Sequence, residues 1–119
     1  MKKPLFVCYP KCTTCQKARK WLVDNGIEFD ERNIATDNPT EEELRAWHKT
    51  SQMPLKKFFN TSGMKYRELS LKDKLPTMSE DEQYKLLATD GMIVKRPLLI
   101  GDLFVLTGFK ENLWQEKLR

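Results

Sequence analysis

Long hydrophobic runs are missing from this sequence, and it has only three cysteines and one histidine in 119 residues. The apolar runs, such as those around residues 92–94 and 98–100, are far too short to span a bilayer. The first four residues carry positive charge, but no long apolar region with a cleavage site follows them, as a signal peptide requires. We therefore expect a cytoplasmic protein that does not interact with membranes.

Clusters of basic charge are also absent. The formal net charge of +4 is modest and spread along the chain, and no run of five or more Lys or Arg occurs. No motif that reads DNA or RNA is visible. These absences favour an ordinary basic surface over direct binding of nucleic acid.

The chain has the length and composition of one globular domain, which we predict to span residues 1–119. Hydrophobic residues make up 39% and charged residues 32%, and there is no repeat, low-complexity stretch or linker. An odd number of cysteines, two of them spaced C-x-x-C, does not resemble a disulfide scaffold. The core must therefore come from hydrophobic packing alone.

The chain begins with the pattern strand, helix, strand. Residues 5–9 form an apolar run that predicts a buried strand. Thr13 and Thr14 are good helix-capping residues, and the following glycine predicts that the helix covers 13–25. Residues 27–30 then alternate like a strand with one buried face. This order is typical of parallel sheets.

The middle of the chain, about residues 38–92, is predicted to be helical. Capping boxes at 40–43 and 79–82 each start a helix, and a short helix follows Pro54. The helix that starts at the second capping box should stop near Gly91. Next, 98–100 and 103–106 predict a hairpin with a two-residue turn, and 110–118 predict a final helix. We predict an α/β, thioredoxin-like fold: a mixed sheet of about four strands with a helical insertion between its βαβ and ββα halves.

The cysteine pair is the strongest chemical signal. Cys12 lies between a strand end and a helix start, where free N–H groups and the helix dipole stabilise a thiolate and lower its pKa. Lys11 beside it adds to this effect. Cys15 is one turn further along the same helix and can form a disulfide with Cys12. We predict that Cys12 is exposed and nucleophilic, and that Cys15 is buried and resolves the intermediate.

Other interpretations of these residues are weaker. A zinc site needs four ligands, and only Cys8 and His48 could complete it, without metal-site spacing. The pair could instead be inert core residues, which the strand–CxxC–helix context disfavours. Cys8 is predicted to be a buried core residue and His48 a partly exposed helix residue with no role.

The dipeptide Arg96-Pro97 is the second chemical signal. Proline directly before a strand suits a sharp turn, and a cis peptide is plausible there. In a thioredoxin-like fold this turn lies opposite the C-x-x-C helix, so Arg96 could face the thiolate and bind an oxyanion. Alternatively, Arg96 is a solvated arginine before a strand, and local sequence does not decide between the two.

Several of these segments together resemble the arsenate reductase (ArsC) and Spx family. Segments similar to those of the family occur in the same order over nearly the whole chain. These segments are residues 9–22, 31–34 and 95–98, and Gly108-Phe109 with Glu111. The resemblance implies that Cys12 attacks arsenate and that Arg96 binds the oxyanion. It implies that the helix N-terminus holds the oxyanion. The predicted substrate-binding residues are therefore Lys11, Thr13, Thr14, Arg96 and Pro97.

The chain departs from the family pattern in its charges and its cysteines. The reductases supply three arginines, whereas only Arg96 matches here and the other positions fall near Asn60 and Thr107. Losing two charge-assisted contacts of about 1.5–3 kcal/mol each weakens oxyanion binding. Arg67 is the residue that could substitute for one of them. Cys8 replaces a histidine of some members, and the C-x-x-C is the Spx pattern.

Two functions follow from this resemblance. The first is a thiol-dependent reductase of an oxyanion or a disulfide, with no bound cofactor or metal and with electrons from thioredoxin or glutathione/glutaredoxin. The alternative is an Spx-like regulator that binds the RNA polymerase α subunit and senses oxidation through Cys12 and Cys15. Residues 52–65 show no match to the segment that contacts polymerase, which favours the reductase. Both predict a Cys12–Cys15 disulfide with Cys8 left reduced.

Overall fold

A mixed four-stranded sheet lies at the centre of the computed structural model, which describes residues 3–118. The strands are β1 (Leu5–Cys8), β2 (Asp30–Asn33), β3 (Leu98–Ile100) and β4 (Val105–Thr107). Their order is β2-β1-β3-β4; β1 and β2 are parallel, and the other neighbours are antiparallel. The predicted thioredoxin-like α/β sheet is thus confirmed.

Helices cover both faces of the sheet. The helices are α1 (Thr13–Asp24), α2 (Glu41–Ser51), α3 (Met64–Glu68), α4 (Leu71–Lys74), α5 (Glu80–Leu87) and α6 (Glu111–Leu118). Single 3₁₀ turns at Leu55–Phe58, Leu75–Thr77 and Gly91–Ile93 complete the segment between β2 and β3. Within residues 3–118, every helix is too short or too polar to cross a membrane.

The alternation of side chains along β1 divides the core into two clusters. Phe6 and Cys8 lie in a cluster with residues of α1 and α6, whereas Val7 lies in a cluster built mainly by the segment between β2 and β3. Leu98 and Leu99 of β3 divide between the clusters in the same way. Successive strand side chains point to opposite faces, so the central strands are covered on both sides.

Both capping boxes are formed as predicted. The Thr40 hydroxyl accepts from the Glu43 N–H, and the Glu43 carboxylate accepts from the Thr40 N–H; Ser79 and Glu82 repeat this arrangement. The helix begun by Ser79 ends at Leu87, somewhat before Gly91. The region after Pro54 is a 3₁₀ turn instead of an α-helix.

The second strand does not begin where the sequence predicts. Residues 27–30 alternate, but Ile27 and Phe29 are half-buried loop residues packed against the α1–α6 cluster. The parallel ladder with β1 starts only at Asp30 and runs through Asn33. This strand lies at the sheet edge and carries polar residues, so its sequence lacks the apolar signal of a buried strand.

The predicted two-residue hairpin turn is also wrong. Residues 101–104 separate β3 from β4, and the Gly101 N–H donates to the Phe104 carbonyl at 2.8 Å. The Phe104 ring lies over Gly101, where a side chain would collide with it at 2.3 Å. Leu103, predicted to lie in a strand, is 90% exposed in the loop. Leu103 and Phe104 are apolar but precede β4, so the apolar pattern predicts a strand that starts two residues too early.

Candidate active site at the end of the first strand

The sheet register brings three segments to one edge. Val7 pairs with Leu98, and Leu98 pairs with Thr107. The residues after β1, before β3 and after β4 must therefore leave the sheet at the same end. Cys12, Arg96 and Lys110 belong to these three segments.

Part of the helical insertion joins this edge through backbone hydrogen bonds. The Asn60 N–H donates to the Ile93 carbonyl at 2.7 Å, and the Lys95 N–H donates to the Phe58 carbonyl at 2.8 Å. These bonds flank an isolated antiparallel bridge between Phe59 and Val94. They hold the segment after Phe59 beside the segment that leads into β3.

The four segments enclose a cavity of about 310 Å³. Its lining residues are Cys12, Thr14, Asn60, Ser62, Lys95, Arg96, Thr107, Gly108, Phe109 and Lys110. Of the predicted site residues, Cys12, Thr14 and Arg96 lie together here. Lys11 and Thr13 are exposed outside this lining, and Cys15 and Pro97 are buried behind it.

The loop before α1 places Cys12 at the helix N-terminus. The Cys12 N–H donates to the Tyr9 carbonyl at 2.9 Å, and the Gln16 side chain donates to the Pro10 carbonyl at 2.9 Å. Cys12 is itself the N-cap residue, and none of the side chains of residues 3–118 makes a capping hydrogen bond to this helix. The prediction that Thr13 and Thr14 cap the helix is therefore wrong, because both already lie inside it.

The environment of Cys12 favours its thiolate. Burial opposes the charge, but the pKa of Cys12 is nevertheless lowered by hydrogen bonds from the Cys15 N–H, the Cys15 thiol and the Thr14 N–H. The positive charge of Arg96 acts in the same direction. Cys12 is only partly exposed, so it has an anion-stabilising site that still opens to the cavity.

Cys15 has the opposite environment. Its side chain is 2% exposed, and burial, together with the neighbouring Cys12, raises its pKa. The Tyr9 N–H donates to Cys15 Sγ at 3.3 Å. That bond favours the thiolate, but burial outweighs it, so Cys15 stays a protonated thiol near Cys12, as a resolving cysteine requires.

Arg96 is held over the loop and has spare donors. Its guanidinium carbon lies 5.5 Å from the centre of the Tyr9 ring. The Nη1 group makes only long hydrogen bonds, of 3.4–3.5 Å, to three backbone carbonyls, and Nε is buried without a partner among residues 3–118. The Arg96–Pro97 peptide bond is cis, as the sequence suggests. Arg96 is half-buried and lines the same cavity as Cys12, so it is not a fully solvated arginine.

The two residues considered for a zinc site lie in structural roles. Cys8 is 2% exposed, and burial beside the Glu31 carboxylate raises its pKa to about 12. His48 is partly exposed as predicted, but it is not without a role, because its ring shares a hydrogen bond with the Tyr84 hydroxyl. Within the described part of the chain, no cluster of three or more His, Cys, Asp or Glu could hold a metal ion.

Lys95 and Lys110 are the site cations that the sequence did not identify. Lys95 lies across Gly108: a Cβ built on that glycine would meet Lys95 Cε at 3.1 Å. Gly108 has a φ of +71°, donates its N–H to the Pro97 carbonyl and accepts from the Trp114 indole. Both lysines stand in segments that resemble the family, and only the sheet register shows that these segments meet.

Asn60 and Thr107, the positions where the family's other two arginines were expected, do line the cavity. Arg67 does not; it is exposed on α3 and lies outside this lining, so it is not the replacement. Positive charge comes instead from Lys95 and Lys110. The site thus keeps its cationic character with ammonium groups in place of guanidinium groups.

Comparison with family models identifies one match, the ArsC family, over residues 8–117. The chain is 58% identical over 111 residues to the uncharacterized protein YusI of Bacillus subtilis, covering 93% of this chain and 94% of YusI. A structure described as a possible arsenate reductase from Streptococcus mutans has a TM-score of 0.86 and 43% identity, covering 95% of this chain and 98% of that chain.

Transcriptional regulators match at lower identity. The global transcriptional regulator Spx 1 of Bacillus cereus is 29% identical over 103 residues, covering 87% of this chain and 77% of the regulator. Similarity therefore extends to proteins described as reductases and to proteins described as regulators.

Proposed function

Since this chain belongs to the ArsC family, we propose that it is a thiol-dependent redox protein in which Cys12 is the nucleophile and Cys15 resolves the intermediate. The observation that carries the proposal is the contrast between the two thiols. Cys12 has a lowered pKa and borders the cavity, whereas Cys15 is buried, has a raised pKa and donates toward Cys12. The proposed substrate is an oxyanion or a disulfide.

The reaction begins with attack by the Cys12 thiolate on the substrate. With a disulfide, Cys12 Sγ bonds to one sulfur and the other leaves as a thiolate. Cys15 then attacks Cys12 Sγ, its proton passes to the second leaving thiolate, and two electrons have moved to the substrate. With arsenate, Cys12 displaces an oxygen that leaves as water, and a second thiol attacks Cys12 Sγ so that arsenic leaves as As(III).

Anion binding is assigned to Arg96, Lys95 and the N-terminus of α1. Arg96 lines the cavity with Cys12 and makes only long hydrogen bonds through Nη1, and Lys95 lies at the cavity across Gly108. No bound cofactor takes part in this scheme. The Cys12–Cys15 disulfide would be reduced by an external thiol donor, thioredoxin or glutathione with glutaredoxin, in the cytoplasm where such donors keep thiols reduced.

A coupled assay tests this proposal. Reduced protein is mixed with arsenate or with a small disulfide, and NADPH oxidation is followed with the thioredoxin system or the glutathione/glutaredoxin system. We expect turnover with at least one substrate, lost in Cys12→Ser and strongly reduced in Cys15→Ser. A complete absence of Cys12-dependent electron transfer in all four combinations contradicts the proposal.

The second candidate function is a redox-controlled regulator that binds the RNA polymerase α subunit. The observation that favours it is the 29% identity to Spx 1. It is tested by capture of purified α subunit on the reduced and the oxidised protein. This becomes the preferred function if capture is stoichiometric and depends on the Cys12–Cys15 redox state, and if the coupled NADPH assay shows no turnover.

A further inference from the structure

The cavity beside Cys12 continues into a second one. A cavity of about 470 Å³ shares Lys95, Thr107 and Lys110 with it and extends past β4 toward Met53 and Leu113. We call the two together the lysine groove, after Lys56, Lys57, Lys95 and Lys110 in its walls. The groove is much longer than an inorganic oxyanion, which needs only the end at Cys12.

The charge of the lysine groove is of one sign. Of the residues that the structure describes, its lining contains the four lysines and Arg96 but no Asp or Glu. Within residues 3–118, none of these five cations forms an ion pair with a carboxylate; the pairs that exist involve Lys3, Lys20 and three other arginines. Unpaired cations lining a concave surface attract and orient an anionic partner.

The part of the groove furthest from Cys12 is apolar as well as basic. Leu106 is half-buried and Leu113 is 41% exposed, and both line the second cavity with Met53. An inorganic anion has no surface to place against these side chains. A ligand that fills the groove must therefore present anionic and apolar groups at the same time, as an acidic peptide segment with aliphatic side chains does.

We propose that the lysine groove binds an acidic, partly apolar segment of a partner protein and presents a disulfide sulfur of that segment to Cys12. The inference rests on the proposed thiol chemistry of Cys12 and defines its substrate class. Carboxylates of the segment pair with Lys56, Lys57 and Lys110, and its aliphatic side chains cover Leu106 and Leu113.

The chemical step within the groove is a thiol–disulfide exchange. Cys12 Sγ bonds to the cysteine sulfur of the segment, and the other sulfur of the substrate disulfide leaves as a thiolate. Cys15 then attacks Cys12 Sγ and releases the segment as a thiol, with its own proton transferred to that sulfur. The protein ends as the Cys12–Cys15 disulfide. The substrate disulfide has taken up two electrons and has become two thiols, one on the segment and one on the group that left first.

Synthetic peptides provide a direct test. Each has about ten residues with one cysteine joined to 2-thiopyridine by a disulfide, and release of pyridine-2-thione is followed by absorbance with reduced full-length protein. One peptide carries Glu and Leu around the cysteine; matched peptides carry Gln or Lys in place of Glu. We expect the Glu peptide to react at least about tenfold faster than the Gln peptide at low salt. The Lys peptide should be slowest.

Two triple variants locate the effect. Lys56→Gln/Lys57→Gln/Lys110→Gln removes three groove charges, whereas Lys49→Gln/Lys74→Gln/Lys85→Gln removes three exposed charges that line neither cavity. The groove variant should lose most of the preference for the Glu peptide, and the control variant should keep it. For each variant the peptide rates are divided by its own rate with neutral 2,2′-dithiodipyridine, so that a change in Cys12 reactivity is not counted as a change in preference. About 0.5 M salt should also reduce the preference for the Glu peptide, because salt screens the attraction between exposed charges.

The outcomes separate this inference from the proposed function. Equal rates for the three peptides, with fast release from 2,2′-dithiodipyridine, overturn the acidic-segment assignment and leave the thiol chemistry standing. No Cys12-dependent release from any disulfide contradicts the disulfide chemistry itself. Loss of the preference in the control variant as well shows that net charge, and not the groove, selects the peptide. Stronger competition by a single-stranded oligonucleotide than by a Glu peptide lacking cysteine makes the groove a nucleic-acid surface instead.

Discussion

The helices α1 and α2 begin in opposite ways. At α2 the Thr40 side chain caps the helix, Glu43 completes the capping box, and the first turn contains three acidic residues. At α1 the N-cap residue is Cys12, no hydroxyl or carboxylate group within residues 3–118 caps the helix, and the first turn contains no acidic residue. One helix uses the usual stabilising devices and the other uses none of them.

The difference shows that the start of α1 lacks stabilising interactions that would interfere with the chemistry of Cys12. A side-chain cap contributes about 1 kcal/mol, and an acidic residue near a helix N-terminus contributes about 0.3–1 kcal/mol. At α1 the free N–H groups of Thr14 and Cys15 are left for the Cys12 sulfur, and an acidic neighbour would repel the thiolate. Local rules of this kind are typically broken at functional sites.

The largest expected effect is a difference in reactivity between the thiols. At pH 7 we expect iodoacetamide to modify Cys12 at least about 10³-fold faster than Cys8, because a buried thiol with a pKa near 12 is ionised to about one part in 10⁵. Mass spectrometry of peptides from the native protein measures both rates. Comparable labelling of Cys8 and Cys12 would remove the chemical distinction between the start of α1 and the rest of the molecule.

Glu43→Gln should weaken α2 without affecting Cys12. The Arg32 guanidinium hydrogen-bonds to the Glu43 carboxylate at 2.7 and 2.9 Å. This interaction outweighs the effect of burial and lowers the pKa of Glu43 to about 2. We expect the free energy of unfolding in urea to fall by about 1–2 kcal/mol at pH 7, a range that allows for solvent screening.

The pH dependence of that variant follows from the sign of the pKa shift. A carboxyl whose pKa is lowered by folding stabilises the protein above its ordinary value of 4.5, and this stabilisation is lost as the pH falls toward 2. The difference between wild type and Glu43→Gln should therefore shrink across this window. Cys12 alkylation at pH 7 should stay unchanged; a slower rate would mean that the two helix starts are coupled.

Thr14→Glu tests whether α1 lacks acidic residues because of the thiolate. The new carboxylate lies in the first turn and at the cavity, so we expect the pKa of Cys12 to rise by about one unit through like-charge repulsion. Thiolate absorbance at 240 nm across a pH titration measures it, with Thr14→Gln as the uncharged control. If the pKa rises equally in both variants, charge is not the reason.

The smallest expected effect is that of the cap itself. Thr40→Ala removes the hydroxyl that accepts from the Glu43 N–H, so stability should fall by about 1 kcal/mol, and Thr40→Ser should restore most of it. Chemical denaturation measures all three proteins. A neutral Thr40→Ala would indicate that tertiary contacts of Leu44 and Trp47, and not the cap, determine where α2 starts.

Features set by neighbouring residues could be predicted from the sequence. The start of α2 needs only Thr40 and Glu43, which are three residues apart, and the position of Cys12 needs only an apolar run followed by a helical pattern. The same local patterns gave the order of strands and helices. The Arg96-Pro97 dipeptide before a strand pointed to Arg96, and Arg96 lines the same cavity as Cys12.

Features set by contacts between distant segments could not be predicted. The edge strand β2 is polar, and its Arg32 pairs with Glu43 across the loop before α2, so no apolar alternation marks the strand. Lys95 and Lys110 look like ordinary surface lysines until the pairing of β3 with β4 brings them to one cavity. Phe104 looks like a strand residue until its ring covers Gly101.

Gly108 restricts how this scaffold can diverge. Its N–H holds the start of β3, its carbonyl holds Trp114, and its missing side chain leaves room for Lys95. Any other residue at this position must adopt an unfavourable φ and displace that lysine. Lysines 95 and 110 carry no comparable backbone constraint. Changes of substrate preference in descendants of this protein should therefore accumulate at 95 and 110, while the glycine between them stays fixed.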